Sequence, residues 1–182
     1  MPLSSIEQTQ FGLKKEVARG TAETSPAKWY PILRDSELAY GLSLLQNEAV
    51  RGDPSKLPPI SGVKGGSGKI KLPLDAQTCV EFFYSLLGNV SSAQQGATTA
   101  YKHTLTVNNG TQKPAYTFFM DRGMNIKKYN LGVVKKINLA APVDNLIQLE
   151  ADVLFKGEAS GAIGTPAYPT QKYLSFQHST VK

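Results

Sequence analysis

The sequence has 182 residues, a net charge of +6, 41% hydrophobic residues and 19% charged residues. This is the length of one domain of ordinary size, which can bury a core without disulfides or metal ions. The single cysteine, Cys79, excludes an intrachain disulfide, and no apolar run reaches the length of a membrane helix.

The N-terminal 27 residues are polar and mixed, which predicts an extended arm ahead of a domain spanning residues 28–182. They lack the apolar core of a secretory signal, so we expect synthesis in the cytoplasm. The domain begins with a strand at Trp29–Leu33. The stretch Glu37–Val50 is compatible with a helix or a strand, and Gly41 with the polar residues after it favours a strand.

Residues 52–68 contain three prolines and five glycines and are predicted to form a long loop. The glycine-rich piece GVKGGSGK is similar to a phosphate-binding loop. It lacks the required spacing, because Ile70 follows Lys69 and the glycines precede a predicted strand rather than a helix. Phosphate binding is therefore not predicted.

The next elements are a strand and the one predicted helix. Apolar and polar residues alternate over Lys69–Leu74, which is typical of a half-buried strand. Asp75 is the expected N-cap of a short helix over about residues 75–87, and Gly88 is its expected left-handed C-cap. The predicted apolar face of this helix comprises Cys79, Val80, Phe83, Leu86 and Leu87.

The rest of the chain has the pattern of a β protein. After a predicted loop at Asn89–Ala100, strands are predicted at 101–107, 115–123, 125–141 with an interruption at Asn130–Gly132, 146–159 and 172–178. Strands joined by turns indicate two packed antiparallel sheets, a β-sandwich or half-barrel, with the short helix on one flank.

Few residues in this chain could carry catalysis or bind metal. His103 and His178 each lie in a predicted strand, and Cys79 lies on the apolar face of the helix. A catalytic triad needs a positioned base, and a zinc site needs clustered ligands. We therefore predict no enzymatic activity, no cofactor and no metal.

The positive charge is concentrated in the middle of the chain. Residues 64–136 contain ten Lys or Arg and three Asp or Glu, a local charge of +7. Such a segment can bind nucleic acid, form a solvated face, or pair with acidic residues of a neighbouring subunit. The lysines are not interleaved with aromatic residues as in single-strand binders, which favours the last two.

An ordered set of segments resembles the tail tube proteins of tailed phages. The segments are Gly12–Glu16 (GLKKE), Gly20–Thr21, WYPI, Glu48–Gly52 (EAVRG), the strand Lys69–Leu74, LLG at Leu86–Gly88, YKHTLT at Tyr101–Thr106, YTFFMDRG, KKYNLGVVKKINL and ADVLF. Together they span nearly the whole chain.

The resemblance implies a structural virion protein rather than an enzyme. Members of this family, like the related type VI secretion tube protein, form rings, usually of six subunits, that stack into a tube. Inner strands of all subunits close a β-barrel lumen through which DNA passes, and an N-terminal arm and a long loop bridge the rings. The implied partners are other copies of the chain, other tail proteins and viral DNA, with no membrane. The implied location is the virion tail, after assembly in the host bacterial cytoplasm.

On this resemblance the arm would be about Pro2–Thr21 and the ring-contacting loop Gly52–Gly68. The expected stacking residues are Phe11, Leu13, Lys14, Lys15, Arg51, Lys56 and Lys64. Asn125–Leu139 and Leu146–Phe155 are the expected lumen strands. The lumen or inter-subunit candidates are Lys127, Lys128, Lys135, Lys136, Glu150, Asp152 and Glu158.

A DNA conduit should repel phosphate, so an acidic lumen is expected, whereas Asn125–Leu139 carries four lysines. Either these lysines face contacts between rings, or the more acidic segment Leu146–Glu158 lines the lumen. Two other functions stay open on the sequence. One is another tail component, such as a distal tail or tube-initiating ring protein. The other is a monomeric β-sandwich that binds nucleic acid or carbohydrate.

Overall fold

The computed structural model describes residues 9–47, 58–75, 79–109, 112–123, 125–162, 164–170 and 172–175. These residues form strands and a short helix. In chain order they are β1 Gln10–Lys15, β2 Lys28–Tyr30, β3 Glu37–Leu45, β4 Ile60–Pro73, α1 Val80–Leu87, β5 Gly88–Gln94, β6 Tyr101–Val107, β7 Tyr116–Asp121, β8 Ile126–Ala140, β9 Gln148–Phe155 and β10 Gly157–Ser160. The predicted mainly-β class with one short helix is confirmed.

The strands form two antiparallel sheets, as predicted, and neither is closed into a barrel. The large sheet has the strand order β2-β1-β7-β8-β9-β4-β3, with β10 also paired to β8. The small sheet is the hairpin β5-β6. The strand predicted for the ambiguous stretch after Glu37 is confirmed as β3.

Strand β8 divides the large sheet into two sections. Its first half pairs with β7 and β10, and its second half pairs with β9. We call β2, β1, β7, β10 and the first half of β8 the β1 section, and the second half of β8 with β9, β4 and β3 the β4 section. The division falls at Leu131, whose φ is +54°. The predicted interruption at Asn130–Gly132 is thus a bend within one strand.

A buried carboxylate stabilises this bend. Glu16 is 6% exposed. Its Oε1 accepts hydrogen bonds from the backbone N–H of Leu131 at 2.7 Å and the hydroxyl of Thr117 at 3.1 Å. Its Oε2 accepts the N–H of Gly20 at 2.6 Å. A buried carboxylate needs such donors, because burying a charge without partners is costly.

The two sections pack around one hydrophobic core. The alternation predicted over Lys69–Leu74 is confirmed, since Ile70, Leu72 and Leu74 are buried, and Ala151 of β9 is fully buried beside them. Tyr129 of the β1 section packs against Phe155 of the β4 section, with 4.6 Å between ring centroids. Helix α1 contributes Phe82, whose ring lies edge-on to Tyr30 at 5.4 Å. The core is therefore shared, and the sections form one unit.

The helix starts later than predicted. Cys79 occupies the N-cap position without a side-chain hydrogen bond, whereas Asp75 pairs with Tyr173 in an isolated bridge. The most buried helical residues are Phe82 and Ser85, so the buried face is rotated relative to the predicted one. Cys79 packs against the core as predicted. Gly88 adopts the predicted left-handed C-cap conformation, with φ +91°.

Three predicted boundaries are wrong. Residues 10–15 of the predicted arm form β1, paired on both sides with β2 and β7. Residues 60–68 of the predicted loop belong to β4, and residues 52–57 lie outside the described part. The predicted loop at 89–100 begins with strand β5. In addition, residues 172–175 of the predicted last strand form only isolated bridges, and 176–178 are outside the described residues.

The glycines of β4 explain why residues 60–68 were predicted to form a loop although they form a strand. A Cβ at Gly68 would lie 2.1 Å from the backbone oxygen of Glu37, and one at Gly66 would lie 2.1 Å from the ring of Phe155. Glycine in a strand commonly marks such a close approach. Here glycine allows tight packing rather than a turn.

Candidate functional site

The β4 section has two open edges. One edge is β3, whose described partner is β4 alone. The other is the second half of β8, where Val134 donates its N–H to Ser85 and later residues have no strand partner outside β9 within the described ranges. Open edges present backbone donors and acceptors that another strand can pair with.

The face of the β4 section that points away from the core is polar, and we call it the outer face. One row of directly opposed residues crosses its four strands: Glu37 of β3, Lys69 of β4, Asp152 of β9 and Lys136 of β8. We call this the charge row. The neighbouring residues Leu38, Val153 and Val134 point into the core, which assigns the charge row to the outer face.

A second row lies beside the charge row. Lys71, Glu150 and Asn138 oppose one another on β4, β9 and β8. Lys71 Nζ is 3.2 Å from Asp35 and 3.7 Å from Glu150, and Lys69 Nζ is 3.1 Å from Glu150. The lysines of the outer face are thus interleaved with carboxylates.

The ion pairs of the outer face stabilise the charged forms of both partners. The hydrogen bond to Glu150, aided by the charges of Glu150 and Asp152, raises the pKa of Lys69. The same bond from Lys69 lowers the pKa of Glu150 against a weaker effect of burial. The charge row has two basic and two acidic side chains, so its formal net charge is zero.

The four lysines of β8 do not lie together. Lys127 and Lys128 belong to the β1 section, and Lys127 forms an ion pair with Glu158 of β10 at 2.7 Å. Lys135 occupies the register shift between Val134 and Lys136. Of the four, Lys136 takes a place in the charge row. Glu150 and Asp152 share the outer face with it.

The residues expected to stack rings are also separated. Phe11 and Leu13 are 0% and 3% exposed and lie in the core, so their side chains are not available for contacts with another molecule. Lys14 pairs with Glu23 at 2.7 Å. Lys15 donates to the hydroxyl of Tyr84 at 3.1 Å. Lys64 is exposed on β4. Arg51 and Lys56 lie outside the described residues.

An apolar surface on the β3–β4 hairpin was not predicted. Leu44, Leu45 and Ile60, near its distal end, are 60%, 58% and 59% exposed. Val63 is 82% exposed. Exposed apolar patches on a folded chain commonly mark interaction sites. The apolar residues of LSLL were visible in the sequence, but their exposure depends on how far the hairpin extends beyond the core.

The β5–β6 hairpin is exposed on both faces and carries polar cross-strand pairs. Ser92 Oγ lies 2.8 Å from His103 Nδ1, and the Asn89 amide donates to Thr106 Oγ1 at 3.0 Å. A Ser–His contact is a component of some active sites, but here both residues are exposed on an open hairpin. In the part of the chain that the structure describes, no three potential metal ligands cluster.

These features define a class, a mainly-β protein with two open sheet edges and a charge-balanced outer face. The chain belongs to the phage tail tube protein family, because the model of that family matches residues 7–182. The predicted resemblance is thereby confirmed. No curated protein matches the chain. Within the described residues no helix has the length and apolar character needed to cross a membrane.

Solved structures that match part of this chain include the tail tube of SPP1. It is 16% identical to this chain, with a TM-score of 0.44 and coverage of 85% of this chain and 77% of its own. A type six secretion system protein is 10% identical, with a TM-score of 0.44 and coverage of 82% and 80%. An Hcp protein is 9% identical, with a TM-score of 0.36 and coverage of 84% and 98%.

Proposed function

We propose that copies of this chain close into rings through their β4 sections, and that the rings stack into a tail tube through which DNA passes. The observation that carries this proposal is the pair of open edges on a four-stranded antiparallel section. Membership of the tail tube family supports it. Membership of this family also supports the virion tail as the location and other tail proteins as partners.

The strand directions of the β4 section favour ring closure. Four antiparallel strands in a row alternate in direction, so β3 at one edge runs opposite to β8 at the other. Rotation about a ring axis brings β3 of one copy beside β8 of the next. These two strands are then antiparallel and continue the sheet without a break. A closed ring removes the open edges, which otherwise favour uncontrolled aggregation.

The outer face of the β4 section would line the lumen. Its charges are balanced rather than acidic, and small residues, Ala39, Gly41, Gly65 and Ser67, occupy the part nearer the hairpin tip. A net-neutral wall neither binds phosphate strongly nor repels it over a long range. We therefore expect a lumen in which lysines and carboxylates are equal in number, in place of the acidic lumen expected from the sequence.

The β3–β4 hairpin would make the contact between stacked rings. Leu44, Leu45 and Ile60 expose apolar surface that a neighbouring ring could cover. The proposed stacking element is therefore this hairpin, with the residues before β1 as a second contact. Six subunits per ring is the number that the family resemblance favours.

Electron microscopy of the purified chain tests the proposal. We expect rods or stacked rings of uniform diameter with an axial channel. A chain that stays monomeric at all concentrations in light scattering overturns it. If that monomer binds DNA with an affinity that falls steeply with salt, the chain is instead a nucleic-acid-binding module.

A further inference from the structure

We propose that Glu37 and Lys136 set the register between neighbouring copies, with Glu37 of one copy facing Lys136 of the next. The occupant of each open edge is thus a second copy of this chain. This inference rests on the proposed function, because it concerns the same ring closure. It adds which residues meet and how the correct alignment is selected.

The charge row is the basis of the inference. Its order across the four strands is negative, positive, negative, positive: Glu37, Lys69, Asp152 and Lys136. The two ends are opposite in sign and lie on the two open edges. Within one chain they are separated by three strand spacings, about 14 Å, so they cannot pair with each other. Placing copies side by side continues the alternation around the ring.

Within the described residues the two ends of the row have no partner, and the interior Asp152 also has a buried Oδ1 that makes no hydrogen bond. The interior Lys69 has its partner in Glu150 at 3.1 Å. Glu37 and Lys136 are exposed, and in the described ranges neither side chain makes a hydrogen bond or an ion pair. In the closed ring Lys136 would be flanked by two carboxylates, Asp152 of its own copy and Glu37 of the next.

Other registers are less favourable. A slip of one residue would turn the outer-face residues of one copy towards the core side of the next. A slip of two residues in one direction places Glu37 opposite Asn138, an uncharged amide. A slip of two residues in the other direction moves Glu37 past Lys135, where the pairing of β8 is irregular. The second row ends in Asn138 on β8, so among the described rows the charge row is the one with opposite charges at both edges.

Disulfide cross-linking measures this register directly. In a Cys79→Ala background, Glu37→Cys with Lys136→Cys places two thiols directly across the proposed interface, where Cβ atoms are about 5 Å apart. We expect a ladder of covalent multimers on oxidation. The matched control, Glu37→Cys with Asn138→Cys, moves one thiol two residues along the same face and should link less. Equal or stronger linking of the control overturns the proposed register.

Charge exchange provides a second test that needs no cysteine. Glu37→Lys or Lys136→Glu alone places like charges across every interface, and the double variant restores opposite charges. We expect each single change to raise the protein concentration for half-maximal assembly about fivefold at low salt. The double variant should assemble at a lower concentration than either single variant, but not as well as the unmodified chain, because each exchanged residue then opposes a like charge, Lys69 or Asp152, within its own copy. Salt at 0.5 M should reduce the defect of the single variants, because it screens exposed charges.

The outcomes separate the two proposals. If the unmodified chain forms tubes and the single variants assemble at the same concentration, without rescue in the double variant, the register is wrong and ring closure stands. If the unmodified chain does not assemble under any condition, both proposals fail. Circular dichroism of each variant checks that a loss of assembly is not a loss of folding.

Discussion

The backbone N–H of Leu131 donates to the carboxylate of Glu16 over 2.7 Å, joining the segment after β1 to the bend of β8. The two residues are 115 positions apart in the chain. Leu131 has a positive φ, which is unusual for a residue with a branched side chain. The buried carboxylate therefore holds a strained residue at the point where one strand passes between two sections.

Replacing this carboxylate should destabilise the fold. In Glu16→Gln one oxygen becomes an amide nitrogen, which cannot accept a hydrogen bond from Gly20 or Leu131. We expect a loss of about 1–3 kcal/mol in the free energy of unfolding, measured by urea denaturation. Glu23→Gln, a change at a more exposed carboxylate, is the control. Equal stability of Glu16→Gln and the unmodified chain would show that the bend does not depend on this carboxylate.

The position of Phe11 distinguishes a core strand from a mobile arm. Its side chain is fully buried and packs against Phe118 and Tyr30. Phe11→Ala should lower the unfolding free energy by about 3–5 kcal/mol. Val17→Ala, at a residue 90% exposed, should change it by less than about 0.5 kcal/mol. Similar thermal melts for both variants would contradict the placement of β1 in the sheet.

Two glycines of the β3–β4 hairpin should respond differently to alanine. At Gly68 a Cβ would lie 2.1 Å from the backbone oxygen of Glu37, and at Gly41 no atom lies within 4 Å. Gly68→Ala should destabilise the chain by about 1–3 kcal/mol through backbone displacement. Gly41→Ala should leave stability within about 0.5 kcal/mol. Denaturant midpoints measure both, and a tolerated Gly68→Ala would mean that the strands can separate without cost.

Acid should weaken the contact between the helix and the sheet. Burial raises the pKa of Glu81, but hydrogen bonds from Lys28 at 2.5 Å and Tyr116 at 2.6 Å outweigh burial and leave the pKa of Glu81 below its ordinary value. A carboxyl with a depressed folded pKa adds stability above its unfolded pKa and loses it as pH falls through the folded value. We expect stability to decrease as the pH is lowered from about 5 towards 3.

The variant Tyr116→Phe tests that assignment. Removing the hydroxyl removes one of the two bonds that hold the Glu81 pKa down, so the fall in stability with acid should become smaller. Tyr101→Phe, at a residue 57% exposed, should keep the pH profile of the unmodified chain. Thermal melts between pH 3 and 7 give the comparison, and parallel profiles for Tyr116→Phe and the unmodified chain would exclude Glu81 as the titrating group.

The exposed hairpin should matter to assembly and not to folding. Leu44 is 60% exposed, so Leu44→Asp should leave the melting temperature of the monomer nearly unchanged. A charge placed in a covered apolar contact is costly, and tubes should shorten to single rings or short stacks in electron micrographs. Val107→Asp, on the β5–β6 hairpin, is the control. Tubes of normal length from Leu44→Asp would exclude the hairpin from the contact between rings.

The sequence predicted the elements whose side chains alternate against the core. Strand β6 was placed at residues 101–107, as observed, and the C-cap at Gly88 was correct. Strand β5 was missed because its Ser and Gln residues lie on an exposed hairpin. Such a strand lacks the alternation of apolar and polar residues from which a strand is predicted. The first half of β4 was missed because the sequence alone does not distinguish a glycine that allows close packing within a strand from a glycine that forms a turn.

The charge row could not be predicted from spacing along the chain. Glu37, Lys69, Lys136 and Asp152 are brought together by strand register, and that register depends on the bulge in β8 and the pairing of β9 with β4. The sequence did identify Lys136 and Asp152 as inter-subunit candidates. Glu37 was missed because it lies in the stretch whose helix or strand character was ambiguous.

Strand β8 has a mechanical consequence for any assembly built from this chain. One unbroken backbone runs through both sections, so a force along β8 passes between them through covalent bonds. In a ring whose strands lie side by side, tension around the ring acts across the strands and would fall on the hydrogen bonds between them. A force along β8 changes direction at the bend at Leu131.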